Sequence, residues 1–221
     1  MKKLPLHAGA GMTSQRTRER LIERLRTQGI RNEQVLEVML QVPRHIFVDE
    51  ALASRAYEET ALPIGYGQTI SQPYIVARMT EALLAGGPVR KVLEVGTGSG
   101  YQAAILSYLV EQVYGVERLE ALLKYARARF MALGIRNIRL QHSDGRWGWP
   151  EYGPYDGIIV TAASPEIPKE LLQQLPVGGR MLIPVGVAQE QTLKRIVRTP
   201  AAYEVQDLEK VVFVPMRAGN Q

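Results

Sequence analysis

The sequence contains no cysteine and only three histidines among its 221 residues. Without cysteine the chain can form no disulfide, and it has no thiolate to act as a nucleophile or a zinc ligand. Three histidines, His7, His45 and His142, are too few to favour a histidine metal site. We therefore predict that the protein binds no metal ion.

Long apolar runs are also missing from the sequence. No stretch approaches the ~20 consecutive apolar residues that a membrane-spanning helix needs, and the N-terminal stretch lacks the apolar core of a secretory signal. We therefore expect a cytoplasmic protein with no membrane partner. The hydrophobic content of 46% and charged content of 22% are typical of an ordinary globular protein with one large core.

The net charge of +5 is concentrated at one end of the chain. Residues 1–31 contain eight Lys or Arg against only Glu19 and Glu23, and the remaining residues sum to −1. A basic helix there could contact phosphates, but no aromatic residues interleave with the charges to stack on bases. We expect a solvated helix face and no nucleic-acid partner.

The N-terminal part of the chain divides into a tail and a helical layer. Residues 1–13 have no hydrophobic periodicity, which predicts a flexible tail. Ser14 and Asn32 each precede a helical pattern of apolar residues and are suited to N-cap positions. A third helical stretch follows Asp49. We predict a layer of helices over residues 14–57.

Residues 58–73, EETALPIGYGQTISQP, differ from what surrounds them. The segment has little periodicity, contains Gly65 and Gly67, and is rich in small polar residues, so it is predicted to be a long loop. Pro73 suits the first turn of a following helix, which places Ser71 at or next to its N-cap. Ser71 is therefore either a simple cap or a site residue.

Residues 74–221 alternate between strand and helix patterns. This alternation predicts an α/β fold with a doubly wound, mostly parallel sheet covered by helices on both faces. The predicted strands lie near residues 92–95, 113–116, 138–140, 157–160 and 181–185. Two further runs, at residues 192–197 and 205–214, have no helix between them and are predicted to be antiparallel strands at the sheet edge. We expect residues 14–221 to form a single domain.

The stretch KVLEVGTGSGYQ, residues 91–102, combines a short apolar strand, a glycine-rich turn and the start of a helix. In a parallel sheet such a turn lets a ligand approach the backbone at the carboxyl end of the strand. It also directs the amides of a helix N-terminus towards that ligand. Tyr101 occupies the position of the third glycine in the dinucleotide-binding motif, so the match to that motif is loose.

Polar residues are predicted at the carboxyl ends of four successive strands. Glu94 lies within the first, Glu117 closes the second, Asp144 and Gly145 follow the third, and Thr161 follows the fourth. The position of Glu117, 23 residues after Glu94, is typical of a carboxylate that accepts both hydroxyls of a ribose. Asp144 is placed to accept a hydrogen bond from an adenine amino group. The pattern predicts an adenosine-type ligand.

Two ligands fit this pattern, a nicotinamide dinucleotide and S-adenosylmethionine. A dinucleotide needs its pyrophosphate on the helix N-terminus and close packing at the third glycine, where this chain has Tyr101. S-adenosylmethionine is cationic and has no phosphate, which suits Glu94 beside the glycine turn. Glu117 disfavours a 2′-phosphate, although the neighbouring Arg118 leaves that possibility open. The residues favour S-adenosylmethionine.

Three segments resemble a known family. VLEVGTGSGYQ resembles the first motif of class I S-adenosylmethionine-dependent methyltransferases, which have a Rossmann-like fold. GQTISQPYIVARMTEAL and SDGRWGWPEYGPYDGIIVTAA are more specific and are similar to bacterial-type protein-L-isoaspartate O-methyltransferases. The similarity extends from about Arg16 to Arg217. The chain departs from the family pattern at Gly153, where Ala or Ser is usual, and at Arg217, where some members have a small hydroxyl residue.

The resemblance implies a function and a set of site residues. It implies methyl transfer from S-adenosylmethionine to the α-carboxylate of L-isoaspartyl residues in damaged proteins, which initiates repair through a succinimide. Ser71 is then the catalytic residue, and residues 213–216 belong to a strand whose end closes over the site. The candidate cofactor-binding residues are Gln68, Thr69, Ile70, Ser71, Glu94, Gly96, Thr97, Gly98, Glu117, Arg118, Asp144, Gly145 and Thr161. We expect a monomer whose partners are isoaspartate-containing proteins and peptides.

Three alternatives remain open on the sequence alone. The basic N-terminal segment suits a class I methyltransferase that acts on RNA, and a small-molecule substrate is equally compatible with the glycine turn. A nucleotide-dependent oxidoreductase is disfavoured by Tyr101 and Glu94. A sensor that binds an adenosyl ligand without turnover would use the same pocket.

Overall fold

The computed structural model describes residues 11–221, so the tail predicted for residues 1–13 lies mostly outside the described residues. Its last part, Gly11–Thr13, forms a short 3-10 helix. Two α-helices follow, α1 at Gln15–Thr27 and α2 at Glu33–Gln41. Both predicted N-caps are confirmed. The Ser14 hydroxyl accepts from the amide of Thr17, and the Asn32 side chain accepts from two amides of the first turn of α2.

The third predicted helical stretch is a 3-10 helix, Glu50–Arg55, and a further 3-10 helix occupies Arg44–Phe47. The Asp49 carboxylate caps Glu50–Arg55 by accepting from the amide of Ala51. Such short segments gain few backbone hydrogen bonds, so tertiary contacts rather than helix propensity set their geometry.

The prediction of a long loop over residues 58–73 is wrong for most of its length. Strands β1, Leu62–Gly65, and β2, Gln68–Ile70, pair as an antiparallel hairpin. Tyr66 and Gly67 connect them with φ angles of 54° and 68°, the backbone that a two-residue hairpin turn requires. The strands are only three or four residues long and have no clear alternation, so periodicity alone could not detect them.

Helix α3, Pro73–Leu84, follows the hairpin, with Pro73 in its first turn as predicted. Its N-cap is Gln72, whose side chain makes no capping hydrogen bond. Ser71 therefore lies next to the cap position and does not cap the helix through its hydroxyl. The interpretation of Ser71 as a simple cap is excluded.

The rest of the described chain is organised around a seven-stranded sheet. Five strands are parallel and the last two are antiparallel, in the order β5-β4-β3-β6-β7-β8-β9, which confirms the predicted doubly wound sheet with antiparallel edge strands. The strands are β3 Lys91–Val95, β4 Gln112–Glu117, β5 Ile138–His142, β6 Gly157–Val160, β7 Arg180–Val187, β8 Glu190–Arg198 and β9 Tyr203–Val211. The helices that alternate with them are α4 Tyr101–Leu109, α5 Glu120–Ala132 and α6 Lys169–Gln173.

Both faces of the sheet are buried, because alternate residues of each central strand enter different apolar clusters. Val92 and Val113 pack in the larger cluster, together with residues of α1, α2, α3 and α4. Leu93 and Val116 pack in the other, beside Leu171 of α6. The strand order reverses between β4 and β6 on either side of β3, and this switch point opens a crevice at the carboxyl ends of the strands.

Gly100 provides a test of the packing between α4 and α5. Its φ is 90°, and a Cβ there would lie 2.8 Å from the ring of Phe130. We expect Gly100→Ala to destabilise the protein by about 1–2 kcal/mol for the left-handed backbone and by about 1–3 kcal/mol more for the steric clash. Urea unfolding measures the loss.

The matched control for this substitution is Gly134→Ala. Gly134 also has a positive φ, 66°, but a Cβ there would meet nothing within 4 Å. The free energy of unfolding of Gly134→Ala should therefore fall by only about 1–2 kcal/mol, the cost of a left-handed Ala backbone. Equal losses in the two variants would contradict the predicted clash with Phe130.

Candidate active site

A cleft opens at the carboxyl ends of β3, β4 and β6, with a volume of about 940 Å³ including the part that is open to solvent. The cleft brings together all but one of the residues that the sequence singled out. They are Gln68, Thr69, Ile70, Ser71, Glu94, Gly96, Thr97, Gly98, Glu117, Arg118, Gly145 and Thr161, and the exception is Asp144.

The glycine turn is held in place by β4 and β6. The amides of Gly96 and Thr97 donate to the carbonyl of Val116, at 2.8 and 3.3 Å. The Thr161 hydroxyl donates to the carbonyls of Gly96 and Val95, at 2.6 and 3.0 Å. A Cβ on Gly96 would lie 2.6 Å from this hydroxyl, so only glycine allows the contact. Thr161 thereby supports the turn as well as lining the cleft.

Glu117 is oriented by backbone amides at the end of β4. One carboxylate oxygen accepts from the amide of Gly98 at 2.9 Å, and the other accepts from the amide of Leu119 at 3.0 Å. The residue is only 6% exposed, yet it lines the cleft. Each oxygen keeps a lone pair that can accept a further hydrogen bond. The carboxylate is thus preorganised to receive two donors from a ligand.

Glu94 is completely buried beside the cleft, and neither carboxylate oxygen has a hydrogen-bond partner among the described residues. Burial raises its pKa well above the ordinary value, and the nearby charge of Glu117 raises it further. The Thr97 hydroxyl and the Ala103 amide oppose this shift, but neither is in hydrogen-bonding geometry. A cation bound next to Glu94 would stabilise the ionised carboxylate.

The carboxylate of Asp144 has partners within the protein that the sequence did not predict. It accepts hydrogen bonds from the Arg146 side chain and backbone amide and from the amide of Gly219, at 2.8–3.2 Å. Burial opposes ionisation of Asp144, but these donors outweigh it and lower the pKa to about 2. The carboxylate joins the end of β5 to the C-terminal segment, and only the adjacent Gly145 lines the cleft.

The C-terminal segment forms one wall of the cleft. Strand β9 ends at Val211, earlier than the predicted Val214, and residues 214–217 then border the cleft. Ala163, which follows β6, secures this segment by donating its amide to Val214 at 2.8 Å and accepting from Met216 at 2.7 Å. The segment is therefore attached to the same strand end that supports the glycine turn.

Ser71 is partly buried on the cleft wall between β2 and α3. Among residues 11–221, its hydroxyl has no hydrogen-bond partner, whereas its backbone carbonyl accepts from the Arg44 guanidinium at 2.7 Å. No histidine lines the cleft in this part of the chain. The Ser71 hydroxyl is thus available to a ligand but has no adjacent base that would make it a nucleophile.

Several residues that line the cleft were not predicted. Ile75, Val76 and Met79 of α3 present apolar side chains to it, and Gln102 of α4 contributes an amide that donates to Thr80 at 2.9 Å. The helical spacing of the α3 residues predicts a buried face, but that pattern is the same for a face that packs in the core and one that meets a ligand.

Comparison with known proteins identifies the family. The sequence profile described as "Protein-L-isoaspartate(D-aspartate) O-methyltransferase (PCMT)" matches residues 15–221. A protein-L-isoaspartate O-methyltransferase 1 from Nitrosococcus oceani is 64% identical over 209 residues, which cover 93% of this chain and 98% of that protein. The chain belongs to the protein-L-isoaspartate O-methyltransferase family. A second member, from Hahella chejuensis, is 62% identical over 94% of this chain and 99% of that protein.

Solved structures of two protein-L-isoaspartate O-methyltransferases have the same fold. One matches with a TM-score of 0.83 and 29% identity. The match covers 92% of this chain and 66% of that longer chain. The other, a putative member from Plasmodium falciparum solved with S-adenosyl-L-homocysteine, matches with a TM-score of 0.77 and 27% identity. The match covers 90% of this chain and 98% of the Plasmodium falciparum chain.

The protein is therefore an enzyme that uses S-adenosylmethionine. It methylates the α-carboxylate of L-isoaspartyl residues in damaged proteins and so initiates their repair through a succinimide. Methylation of RNA or of a small molecule is not favoured, since the match covers nearly the whole chain. Among residues 11–221, no helix combines the length and hydrophobicity needed to cross a membrane.

The buried carboxyl of Glu94 predicts a distinctive dependence of stability on pH. Because its folded pKa is raised above the ordinary 4.5, the folded protein retains a proton that the unfolded chain has lost. This stabilising contribution is complete below pH 4.5 and is lost as the pH rises through the folded pKa. We expect Glu94→Gln to gain stability relative to the wild type as the pH rises from 5 to 8, measured by urea unfolding without cofactor.

The control is Glu111→Gln, which removes a glutamate whose side chain is 74% exposed. Its stability should follow that of the wild type across the same pH range. If the curves for Glu94→Gln and the wild type also ran parallel, the raised pKa of Glu94 would be contradicted.

Proposed function

We propose that the cleft holds S-adenosylmethionine across the glycine turn and presents the isoaspartyl carboxylate to Ser71. The carboxyl of Glu94, buried and without a donor, supports a cationic ligand because such a ligand would offset its charge. The turn at Gly96 and Gly98 lines the cleft, and a glycine turn allows a ligand to approach the backbone closely. Glu117 supports ribose binding, since its two oxygens are held side by side by backbone amides.

We propose a different main role for Asp144 from the adenine contact that the sequence predicted. The donors from Arg146 and Gly219 leave the Asp144 carboxylate fewer free lone pairs for an adenine amino group. We propose that Asp144 acts mainly by holding the C-terminal segment next to Gly145. Arg118 contributes to the same wall, because its guanidinium donates to the carbonyl of Gly219 at 3.0 Å.

The reaction depends more on alignment of the substrate carboxylate with the methyl group than on acid–base catalysis. The substrate carboxylate is already ionised at neutral pH and needs no general base. This agrees with the lining of the cleft, which contains no histidine among residues 11–221. Bound S-adenosylmethionine supplies an electrophilic methyl group. The protein must hold the carboxylate in line with it, and such orientation is worth ~7–11 kcal/mol. Ser71 can do so by donating a hydrogen bond from its otherwise unpartnered hydroxyl.

The apolar part of the cleft supports the same reaction. Transfer of a methyl group from a cation to an anion leaves two neutral groups, so a poorly hydrated site favours the change in charge. Ile70, Ile75, Val76 and Met79 supply such surroundings next to Ser71.

We further propose that residues 14–221 act as one methyltransferase domain. We propose that this domain acts as a monomer on damaged proteins and peptides. The absence of cysteine supports a cytoplasmic location.

The role of Ser71 is tested by Ser71→Ala. We expect kcat to fall at least tenfold on a peptide that carries L-isoaspartate, because one charge-assisted hydrogen bond is worth about 1.5–3 kcal/mol. The Kd for S-adenosylhomocysteine, measured by calorimetry, should stay within threefold. The same peptide with ordinary aspartate should not be methylated by any variant.

Ser107→Ala is the matched control for this substitution. The Ser107 hydroxyl is buried and donates to a carbonyl in its own helix, α4, so its removal should leave kcat unchanged. Unchanged turnover in Ser71→Ala would overturn the proposed role of Ser71. Methylation of the aspartate peptide would contradict the proposed specificity.

The role of Glu117 is tested by Glu117→Gln, which replaces one acceptor oxygen by an amide donor that faces a backbone amide. We expect affinity for S-adenosylhomocysteine to fall about 10- to 100-fold, as for loss of one hydrogen bond to a charged group. Calorimetry gives the Kd. The control is Glu120→Gln in α5, whose side chain is 55% exposed and outside the cleft. An unchanged Kd in Glu117→Gln would count against ribose binding at this residue.

A further inference from the structure

Arg44 is a buried cation outside the cleft. Its side chain is 0% exposed, and no carboxylate among the described residues forms an ion pair with it. Transfer of a guanidinium out of water costs several kcal/mol unless its donors are satisfied. Its surroundings provide other partners for Nε and Nη2, whereas Nη1 has no hydrogen-bond partner among the described residues.

Those partners belong to three different segments of the chain. The Arg44 Nε donates to the carbonyl of Ala56 at 2.8 Å, and Nη2 donates to the carbonyl of Ser71 at 2.7 Å. The guanidinium carbon lies 4.9 Å from the centre of the Tyr101 ring, within cation–π range. One rigid side chain thus contacts the segment before the hairpin, the Ser71 backbone and the first residue after the glycine turn.

Ser71 and Tyr101, the two cleft residues that Arg44 contacts, are also held in place by their own surroundings. Tyr101 is 1% exposed, and its ring packs edge-on against Phe47 at a centroid distance of 5.4 Å. Ser71 lies between the last residue of β2 and the cap of α3, and its carbonyl accepts its hydrogen bond from outside both elements. The Arg44 contact therefore sets where the Ser71 backbone lies relative to the glycine turn.

We infer that Arg44 is a positioning residue for methyl transfer, which fixes Ser71 relative to the glycine turn through the Ser71 carbonyl and the Tyr101 ring. This inference rests on the proposed role of Ser71 in orienting the substrate carboxylate. Arg44 does not line the cleft, so it acts only through these two residues. The planar guanidinium reaches two carbonyls and a ring face at once, which a lysine ammonium cannot do in the same geometry.

Arg180 is a matched control for a purely structural buried arginine. It is 3% exposed, and its guanidinium donates to the carbonyls of Ala85 and Gly87. It begins β7 at the amino end of the parallel strands, where its amide donates to Asp156, and none of these residues lines the cleft. Arg180 therefore matches Arg44 in burial and in partner type, but not in its connection to the site.

The test is a double-mutant cycle between Arg44→Lys and Ser71→Ala, with Arg180→Lys as control. We expect Arg44→Lys to lower kcat on the L-isoaspartyl peptide at least tenfold, since a displacement of about 1 Å can cost ~10²-fold in rate. In the Ser71→Ala background, the same substitution should lower kcat less than twofold, because residues that act together are not additive. Arg180→Lys should leave kcat within twofold.

Calorimetry with S-adenosylhomocysteine and urea unfolding separate positioning from folding. We expect the Kd of Arg44→Lys to stay within threefold of the wild type, even if its stability falls as much as that of Arg180→Lys. Arg44→Gln, which can reach one carbonyl but carries no charge, should show the same separation of kcat from Kd. Loss of cofactor binding in both Arg44 variants would assign Arg44 to folding and overturn the inference.

The remaining outcomes distinguish this inference from the function on which it rests. An unchanged kcat in Arg44→Lys, alongside a reduced kcat in Ser71→Ala, would overturn the role of Arg44 and leave that of Ser71 intact. Multiplicative losses in the double variant would also overturn it, because Arg44 would then act independently of Ser71. An unchanged kcat in Ser71→Ala would overturn the proposed function itself.

Discussion

The carboxyl of Glu94 is the constraint on which the site depends. It is buried in β3, the middle one of the five parallel strands, and has no hydrogen-bond donor among the described residues. Its register partner on β4 is Gly115, and a side chain there would lie 2.5 Å from the Thr97 hydroxyl, which packs beside the carboxyl. Glu117 adds a second acid on the same side. Burial of Glu94 next to Glu117 therefore raises the pKa of Glu94 and makes its ionised form costly in the folded protein. A cationic ligand relieves this cost, so the site gives up stability for affinity.

The helical layer has a role beyond covering one face of the sheet. Arg44 and Phe47 come from a 3-10 helix of this layer and contact Tyr101, while Arg44 also holds the carbonyl of Ser71. The Ser71 side of the cleft is thus built on a segment that precedes the sheet in the chain. The geometry of this side of the cleft is set by the buried hydrogen bond from Arg44 to the Ser71 carbonyl, because hydrogen bonds are directional and apolar packing is not.

The C-terminal segment closes the opposite side of the cleft. It is attached at one end to Ala163 after β6 and at the other to Asp144 through Gly219. Asp144 thereby makes a contact within the protein that the sequence did not predict. These hydrogen bonds link the strand ends at β5 and β6 into one wall, and Arg118 adds the end of β4 by donating to the carbonyl of Gly219. The position of each residue therefore depends on the others.

Local patterns were sufficient to predict much of this protein. The caps at Ser14 and Asn32, the alternation of strands and helices, the glycine turn and the acids at the strand ends each depend on residues close together in the chain. The hairpin was missed because its strands are too short to show a period. The partners of Asp144, the absence of a donor for Glu94 and the contact of Arg44 with Ser71 join residues far apart in sequence, and only the tertiary structure decided them.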